Sequence, residues 1–377
     1  MKITIAPDSF KGSLSARELG EAMKEGVLNA APEAFVKVLP MGDGGEGTLE
    51  VIEGLIEKKV KVKVRGPLPD QRVETSFAIL SYQGKETAFI ECARSTGLTL
   101  VPKNKRDPYL LNSYGLGEQI RAALKSGFND LIISLGGSAT TDGGTGMLQA
   151  LGYRFFDQED NLLTSEENIL NQITQMDTAN VLKELEDCRI TVLCDVKNPF
   201  YGENGAAYIY GPQKGADMNQ IADLDSGLKG LASLVMNTKK IDLQSLKGAG
   251  AAGGLGGALA GIMNAELKSG FTVIAELLRL EDEIRTSDFV LTGEGNLDAQ
   301  SMQGKVPVSV AEYASKYHVP AIALAGGIEL RDHYHPLEAV FSIQSSPCSM
   351  EEAIENTYEN TKFTTAQIIS LLQINES

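Results

Sequence analysis

Short apolar runs end repeatedly in glycine-rich or acidic loops and pass into segments with a 3.6-residue apolar period. Lys2 to Ala6 reads as a strand, and the Ser15/Glu18 capping box opens a helix with Leu19, Met23, Val27 and Ala30 on one face. Ala34 to Leu39, Leu131 to Leu135, Asp288 to Leu291, Pro320 to Leu324 and Ala339 to Ile343 are further strands in this style. Helices are expected over Asn112 to Ser126, Glu166 to Glu186, Ala222 to Met236, Val308 to Tyr317 and Glu351 to Leu372. Between residues 60 and 93 the period changes to two: Val60 to Val64, Arg72 to Leu80 and Glu86 to Ala93 read as antiparallel strands joined by short turns. Tyr153 to Phe156, Ile190 to Leu193 and Ala207 to Tyr210 are the remaining strand candidates.

This alternation predicts an α/β fold: a Rossmann-like or flavodoxin-like parallel-sheet domain with a second α/β domain inserted into it. The expected boundaries are 1–60, 112–148 and 270–377 for the first domain, and 61–111 with 149–269 for the insertion. A length of 377 residues suits two cores. A net charge of −16 disfavours a nucleic-acid or anionic-membrane surface. No run of 18 apolar residues occurs, and the N-terminus reads as a strand rather than a leader. The four cysteines include no C-x-x-C pair, which fits a reducing, cytoplasmic setting. His333 and His335 sit in a polar stretch and read as surface loop.

The chemistry concentrates at strand ends. Loop 7–13 carries Asp8, Ser9, Lys11 and Ser13; loop 42–48 carries Asp43 and Glu46; loop 136–146 holds five glycines with Ser138, Thr140, Thr141 and Asp142. Loop 292–298 carries Glu294 and Asp298, with Lys305 soon after, and 325–327 ends in two glycines. In a parallel sheet such loops meet along one edge. Glycine-rich backbone suits polyphosphate, carboxylates suit Mg²⁺, and lysines suit a transferring phosphoryl group. Gly248 to Gly257 matches G-x-G-x-x-G but lacks a good preceding strand, which argues against a nicotinamide site; a nucleotide-facing loop and a close-packed helix start both remain open. The Walker A pattern is absent because Gly304-Lys305 is followed by Val306.

Asp8-Ser-Phe-Lys-Gly-Ser13, Gly42-Asp-Gly-Gly-Glu-Gly47, Gly136 to Gly144, Cys194-Asp-Val, Asn198-Pro, Pro212-Gln-Lys-Gly-Ala216, Gly248 to Gly254, and Thr292-Gly-Glu-Gly295 with Asp298 and Gly304-Lys-Val-Pro307 resemble, in order, the bacterial type I glycerate kinase family. The resemblance spans nearly the whole chain; the loop Thr140-Thr141-Asp142 has Thr where many members carry Asn. It implies ATP- and Mg²⁺-dependent phosphorylation of D-glycerate, with 2-phosphoglycerate favoured, in a cleft between two domains. Asp195, at a strand end, is the expected base, with Lys11 and Asp8 as further catalytic groups. Ser9, Asp43, Asn198, Lys214, Asp298 and Lys305 are expected at the substrate. Gly136, Gly137, Ser138, Thr140, Asp142, Gly143, Gly250, Gly253, Gly254 and Glu294 are expected at the nucleotide, and Asp142 and Asp298 at the metal. D-glycerate and ATP are the expected partners; whether the chain forms a homodimer stays open. The alternatives are an acyl-phosphate-forming kinase of another small carboxylate and a non-catalytic glycerate sensor.

Overall fold

Along the chain the strands are β1 (Lys2–Ile5), β2 (Phe35–Val38), β3 (Lys58–Arg65), β4 (Arg72–Tyr82), β5 (Lys85–Glu91), β6 (Asp130–Ser134) and β7 (Arg154–Phe156). They continue with β8 (Gln175–Asp177), β9 (Arg189–Leu193), β10 (Glu266–Lys268), β11 (Phe289–Leu297), β12 (Ala321–Ile328) and β13 (Ala339–Ser342). The computed structural model describes residues 1–164 and 166–374. It divides into two units: Met1–Asp43, Glu50–Gly54 and Phe271–Ser377 form the first, and Gly44–Leu49 with Leu55–Gly270 form the second.

The first unit is built on a five-stranded, all-parallel sheet in the order β13-β12-β11-β1-β2. Counted within this unit the order is 2-1-3-4-5, the flavodoxin-like doubly wound arrangement, whose switch point lies between β1 and β11. Parallel strands buried on both faces need continuous apolar runs, and Ile3, Ile5, Leu291 and Leu324 are fully buried. The helix Ala16–Ala30 begins with the expected Ser15/Glu18 capping box. Its apolar face, Leu19, Met23 and Val27, joins Ile368 and Ile369 of the helix Thr357–Gln373 in one core. Each such side chain contributes about 1.5–3 kcal/mol on burial. The two helices cross closely enough that a Cβ on Gly26 would stand 2.4 Å from the Lys362 carbonyl oxygen.

The second unit holds a six-stranded mixed sheet, β10-β9-β6-β5-β4-β3. β3, β4 and β5 pair antiparallel, as the period-two pattern predicts; β5, β6, β9 and β10 run parallel. The edge strand β3 turns Lys58, Lys59, Lys61 and Lys63 to solvent, a charge row that blocks further strand addition. Residues 112–148, assigned from the sequence to the first domain, carry β6 and lie in this second unit. A buried parallel strand followed by a helix has the same local pattern in either sheet.

Two other expectations fail. The helix anticipated over 166–186 is replaced by single turns at Leu170–Gln172 and Lys183–Leu185 and by β8, which pairs antiparallel with β7. The β7–β8 pairing, with Arg154 and Asp177 opposite each other across it, overrides local helix propensity there. Ala207 to Tyr210, read as a strand, instead lie in the helical turn Ala206–Tyr210, which seats Ala206 and Ala207 in the core.

Candidate active site

The switch point of the first unit opens into a cavity of about 790 Å³. Asp8, Ser9, Lys11, Asp43, Glu294, Asp298 and Lys305, all chosen from the sequence, line it together. The backbone explains the convergence. Pairing between β1 and β11 continues past the strand: the Asp8 N–H donates to the Gly293 carbonyl at 2.9 Å, and the Thr292 hydroxyl donates to the Ala6 carbonyl at 2.7 Å. Only glycine fits at 293, because a Cβ there would sit 2.6 Å from the Leu324 carbonyl oxygen.

Asp8 is the most perturbed carboxylate of this wall. Burial, with the like charges of Asp43 and Glu294, pushes its pKa up from 3.8 to about 6; the Ser9 N–H and Lys11 oppose the rise only in part. Glu294 is 6 % exposed and is likewise raised, first by burial. One of its oxygens, Oε1, is buried without a hydrogen-bond partner; the other lies 3.5 Å from Lys305 Nζ. Asp298 behaves differently: it accepts the N–H groups of Gln300 and Ser301 at 2.8 and 3.1 Å, and the Ser301 N–H leads in holding its pKa low. Lys305 stands at the N-terminus of the helix Val306–Ser315, where backbone N–H groups add to its positive charge.

The remaining expected residues lie in the second unit. Asp195 follows β9, is exposed, and accepts the Gly270 N–H at 3.2 Å to each oxygen. Asn198 accepts the Tyr210 hydroxyl at 2.7 Å and donates to the Asn204 carbonyl. Lys214 is 2 % exposed; its ammonium donates to Thr140 O at 2.7 Å and Ser138 Oγ at 3.1 Å. Burial lowers its pKa to about 8. Lys214 thus holds the 136–146 loop from within, rather than presenting its charge to a substrate.

That loop differs most from expectation. Asp142 is fully buried, and its carboxylate accepts the Ser113 N–H and hydroxyl at 2.9 and 2.7 Å and the Gly144 and Gly146 N–H groups at 3.0 and 3.1 Å. Three donors meet Oδ2 and one meets Oδ1, all from the protein, and the side chain has no exposed surface. The glycines are spacers between backbones. Gly143 N–H donates to Gly253 O at 3.0 Å, and a Cβ on Gly253 would meet Thr140 O at 1.9 Å. On Gly254 it would meet Gly143 Cα at 2.7 Å, on Gly250 Pro199 O at 2.2 Å, and on Gly136 Gly45 Cα at 2.3 Å. Gly137 adopts φ +75° beside Glu46. The stretches 136–146 and 248–254 pack on each other, as the close-packed alternative for the second expects. Gly253→Ala is expected to destabilise the protein by about 3 kcal/mol or more, read by denaturant unfolding, since it adds a backbone clash at φ +73°.

Sequence reasoning passed over several residues. Glu91, 2 % exposed, accepts the Gly47 N–H and the Arg94 guanidinium. Ser113, fully buried, bridges Asp142 and the Met147 N–H. The segment from Ile343 to Thr357 supplies much of the lining of the same cavity. None carries a motif; only the S-x-x-E spacing of Ser349 and Glu352 marks the last of them, as a helix start.

No helix among the described residues is long and apolar enough to cross a membrane. The family model for the glycerate kinase family matches residues 3–373. A glycerate 2-kinase of Escherichia coli (strain K12) is 44 % identical, over 99 % of this chain and 98 % of the relative. A glycerate kinase of Haemophilus influenzae is 40 % identical, over 99 % of each chain. A crystal structure from Salmonella typhimurium LT2, provisionally labelled glycerate kinase 2, superposes with a TM-score of 0.86 at 41 % identity, over 100 % of this chain and 99 % of the other. The chain belongs to the glycerate kinase family and is a phosphotransferase.

Proposed function

We propose that the chain transfers the γ-phosphoryl group of ATP directly to the 2-hydroxyl of D-glycerate, with Asp8 as the base. The convergence of Asp8, Lys11, Glu294 and Lys305 in one switch-point cavity carries this reading. A carboxylate with a pKa near 6 is mostly ionised at pH 7 yet basic enough to draw a proton from the attacking hydroxyl. Lys11 and Lys305 are placed to offset charge on the phosphates. Ser9 and Asp43 offer the acceptor's hydroxyls hydrogen-bond partners in the same cavity. The 2-position is favoured by the E. coli relative's name.

The carboxylate set also suits a divalent cation. The partnerless Glu294 Oε1 is an acceptor awaiting a positive or proton-donating group. A Mg²⁺ ion is usually held by one or two carboxylates together with phosphate oxygens. Glu294 and Asp298 would hold Mg²⁺, and the ion would neutralise charge on the phosphates. Asp142, with no exposed surface, does not fit that role, whereas Asp298 lines the cavity.

The product decides the reaction. In ³¹P NMR the phosphorus of 2-phosphoglycerate couples to one methine proton and gives a doublet; a methylene triplet would assign the 3-hydroxyl. An acyl phosphate trapped by hydroxylamine would instead mark the carboxylate as acceptor and overturn the proposal. Lys305→Ala is expected to raise the KM for ATP at least tenfold in steady-state kinetics, because a charge-assisted phosphate contact contributes about 1.5–3 kcal/mol.

A further inference from the structure

A cavity of about 790 Å³ is far larger than a three-carbon acid requires; it falls in the range of roughly 300–1,000 Å³ typical of sites that bury cofactor-sized ligands. Its walls also differ in chemistry. Asp8, Lys11, Glu294 and Lys305 form a charged set of lining residues, whereas Phe10, with Ile343, Pro347, Met350 and Ile354 from one stretch of chain, forms an apolar set. Glycerate has almost no apolar surface to set against that second set. In the expected nucleotide loops of the second unit, Gly253 and Gly254 are packed against the Thr140 carbonyl and Gly143 Cα, which leaves those two positions no room for a ring.

The geometry points to these apolar residues as the subsite for the purine ring of the nucleoside triphosphate, with the triphosphate directed toward Lys11 and Lys305. The inference rests on the ATP-dependent reading above and adds the place of the base. Phe10, in the middle of loop 7–13, is 4 % exposed and fixed in the core, so it forms a rigid part of the lining. Met350 and Ile354, on the short helix Met350–Glu355, are 77 % and 42 % exposed although they line the cavity. Large apolar groups left open beside a cavity gain from a flat ring laid against them.

The helix is held in place by the same loop that carries Lys11. Ser13 and Thr357 hydroxyls lie 2.7 Å apart, and Ser13 Oγ donates to the Ile354 carbonyl at 3.1 Å. Residues after β13 continue its pairing through Ile343 N–H to Ala325 O at 2.9 Å, so the base wall and the phosphate loops share one scaffold. Gln344 lines the cavity and its amide both donates and accepts, which suits the edge of an adenine ring.

Photolabelling of the full chain with 8-azido-ATP tests this without any substitution. Label that ATP competes away is expected on peptides spanning residues 343–357. ATP-protected label on 136–146 or 248–254 would overturn the subsite while leaving ATP use intact; no ATP-protected label anywhere would overturn both readings. Two variants give an independent readout: Ala353→Trp narrows the cavity, and Ile354→Asp changes an exposed helix position. Each is expected to raise the Kd for a fluorescent methylanthraniloyl-ATP at least tenfold while leaving inhibition by inorganic tripolyphosphate unchanged. Unaltered nucleotide affinity in both folded variants would place the base elsewhere.

Discussion

Replacing Asp8 with Asn is expected to lower kcat by about 10²–10⁴, the usual contribution of a positioned general base, while making the folded protein more stable at neutral pH. The two effects have one cause. Burial beside Asp43 and Glu294 raises the Asp8 pKa from 3.8 to about 6, so the folded state binds the proton more tightly than the unfolded chain does. Wild-type stability from this group is therefore present below pH 4 and lost as the pH rises to 6; above that the ionised carboxylate is a constant burden. A rise of that size corresponds to about 3 kcal/mol, or ~2 kcal/mol after allowance for the part of the side chain that water reaches. The gain on Asp8→Asn should thus be absent near pH 4, grow to pH 6 and stay flat beyond, as measured by denaturant unfolding at each pH. In activity the wild type should lose kcat/KM about tenfold for each pH step of one below pH 6. Asp195→Asn, at an exposed carboxylate bound to the Gly270 N–H, should keep at least about a tenth of wild-type kcat. If Asp195→Asn is inactive and Asp8→Asn turns over normally, the base is Asp195.

Much of the first unit was legible because its code is local. The run Lys2 to Ala6, the Ser15/Glu18 box and the carboxylates after β1 and β11 act where they stand in the chain. A parallel sheet then collects strand ends on one edge whatever the loops contain. The second unit was less legible because its decisive contacts are distant in sequence. β6 has an apolar run that would suit either sheet, and only its pairing with β5 and β9 places it. β7 and β8 are separated by a long irregular stretch, so a Glu- and Leu-rich segment reads as helix until the pairing is seen.

Glycine content misled for a related reason. Glycine reports that something approaches the backbone closely, but not what approaches. At Gly293 the neighbour is a strand carbonyl beneath the cavity; at Gly253 it is the Thr140 carbonyl of another glycine-rich loop. Lys214 shows the same ambiguity among charges. A lysine in a strand-end motif suggests an anion, yet its ammonium is spent on Ser138 and Thr140 O inside the fold. Sequence pattern selects residues that are constrained; the identity of the constraint comes from burial and partners.

Asp142→Asn separates these two kinds of constraint most sharply. If Asp142 served the nucleotide or a metal, its loss would raise the KM for ATP in a protein of normal stability. The structure gives the opposite expectation. Its carboxylate accepts four donors from Ser113, Gly144 and Gly146 with no exposed surface. It ties the start of the helix Tyr114–Lys125 to the turn that opens the helix Thr145–Ala150. An amide in its place brings an NH₂ group against at least one of those donors and removes the charge that all four solvate. The loss should be roughly 3–5 kcal/mol, the scale seen when a buried charged group loses its match. The folded fraction should keep its affinity for ATP, because the proposed purine and phosphate contacts lie in the first unit. A normal unfolding midpoint together with a weakened ATP affinity would return Asp142 to the nucleotide. A large drop in the midpoint with an unchanged Kd for nucleotide would establish it as the group that holds the 136–146 loop in shape.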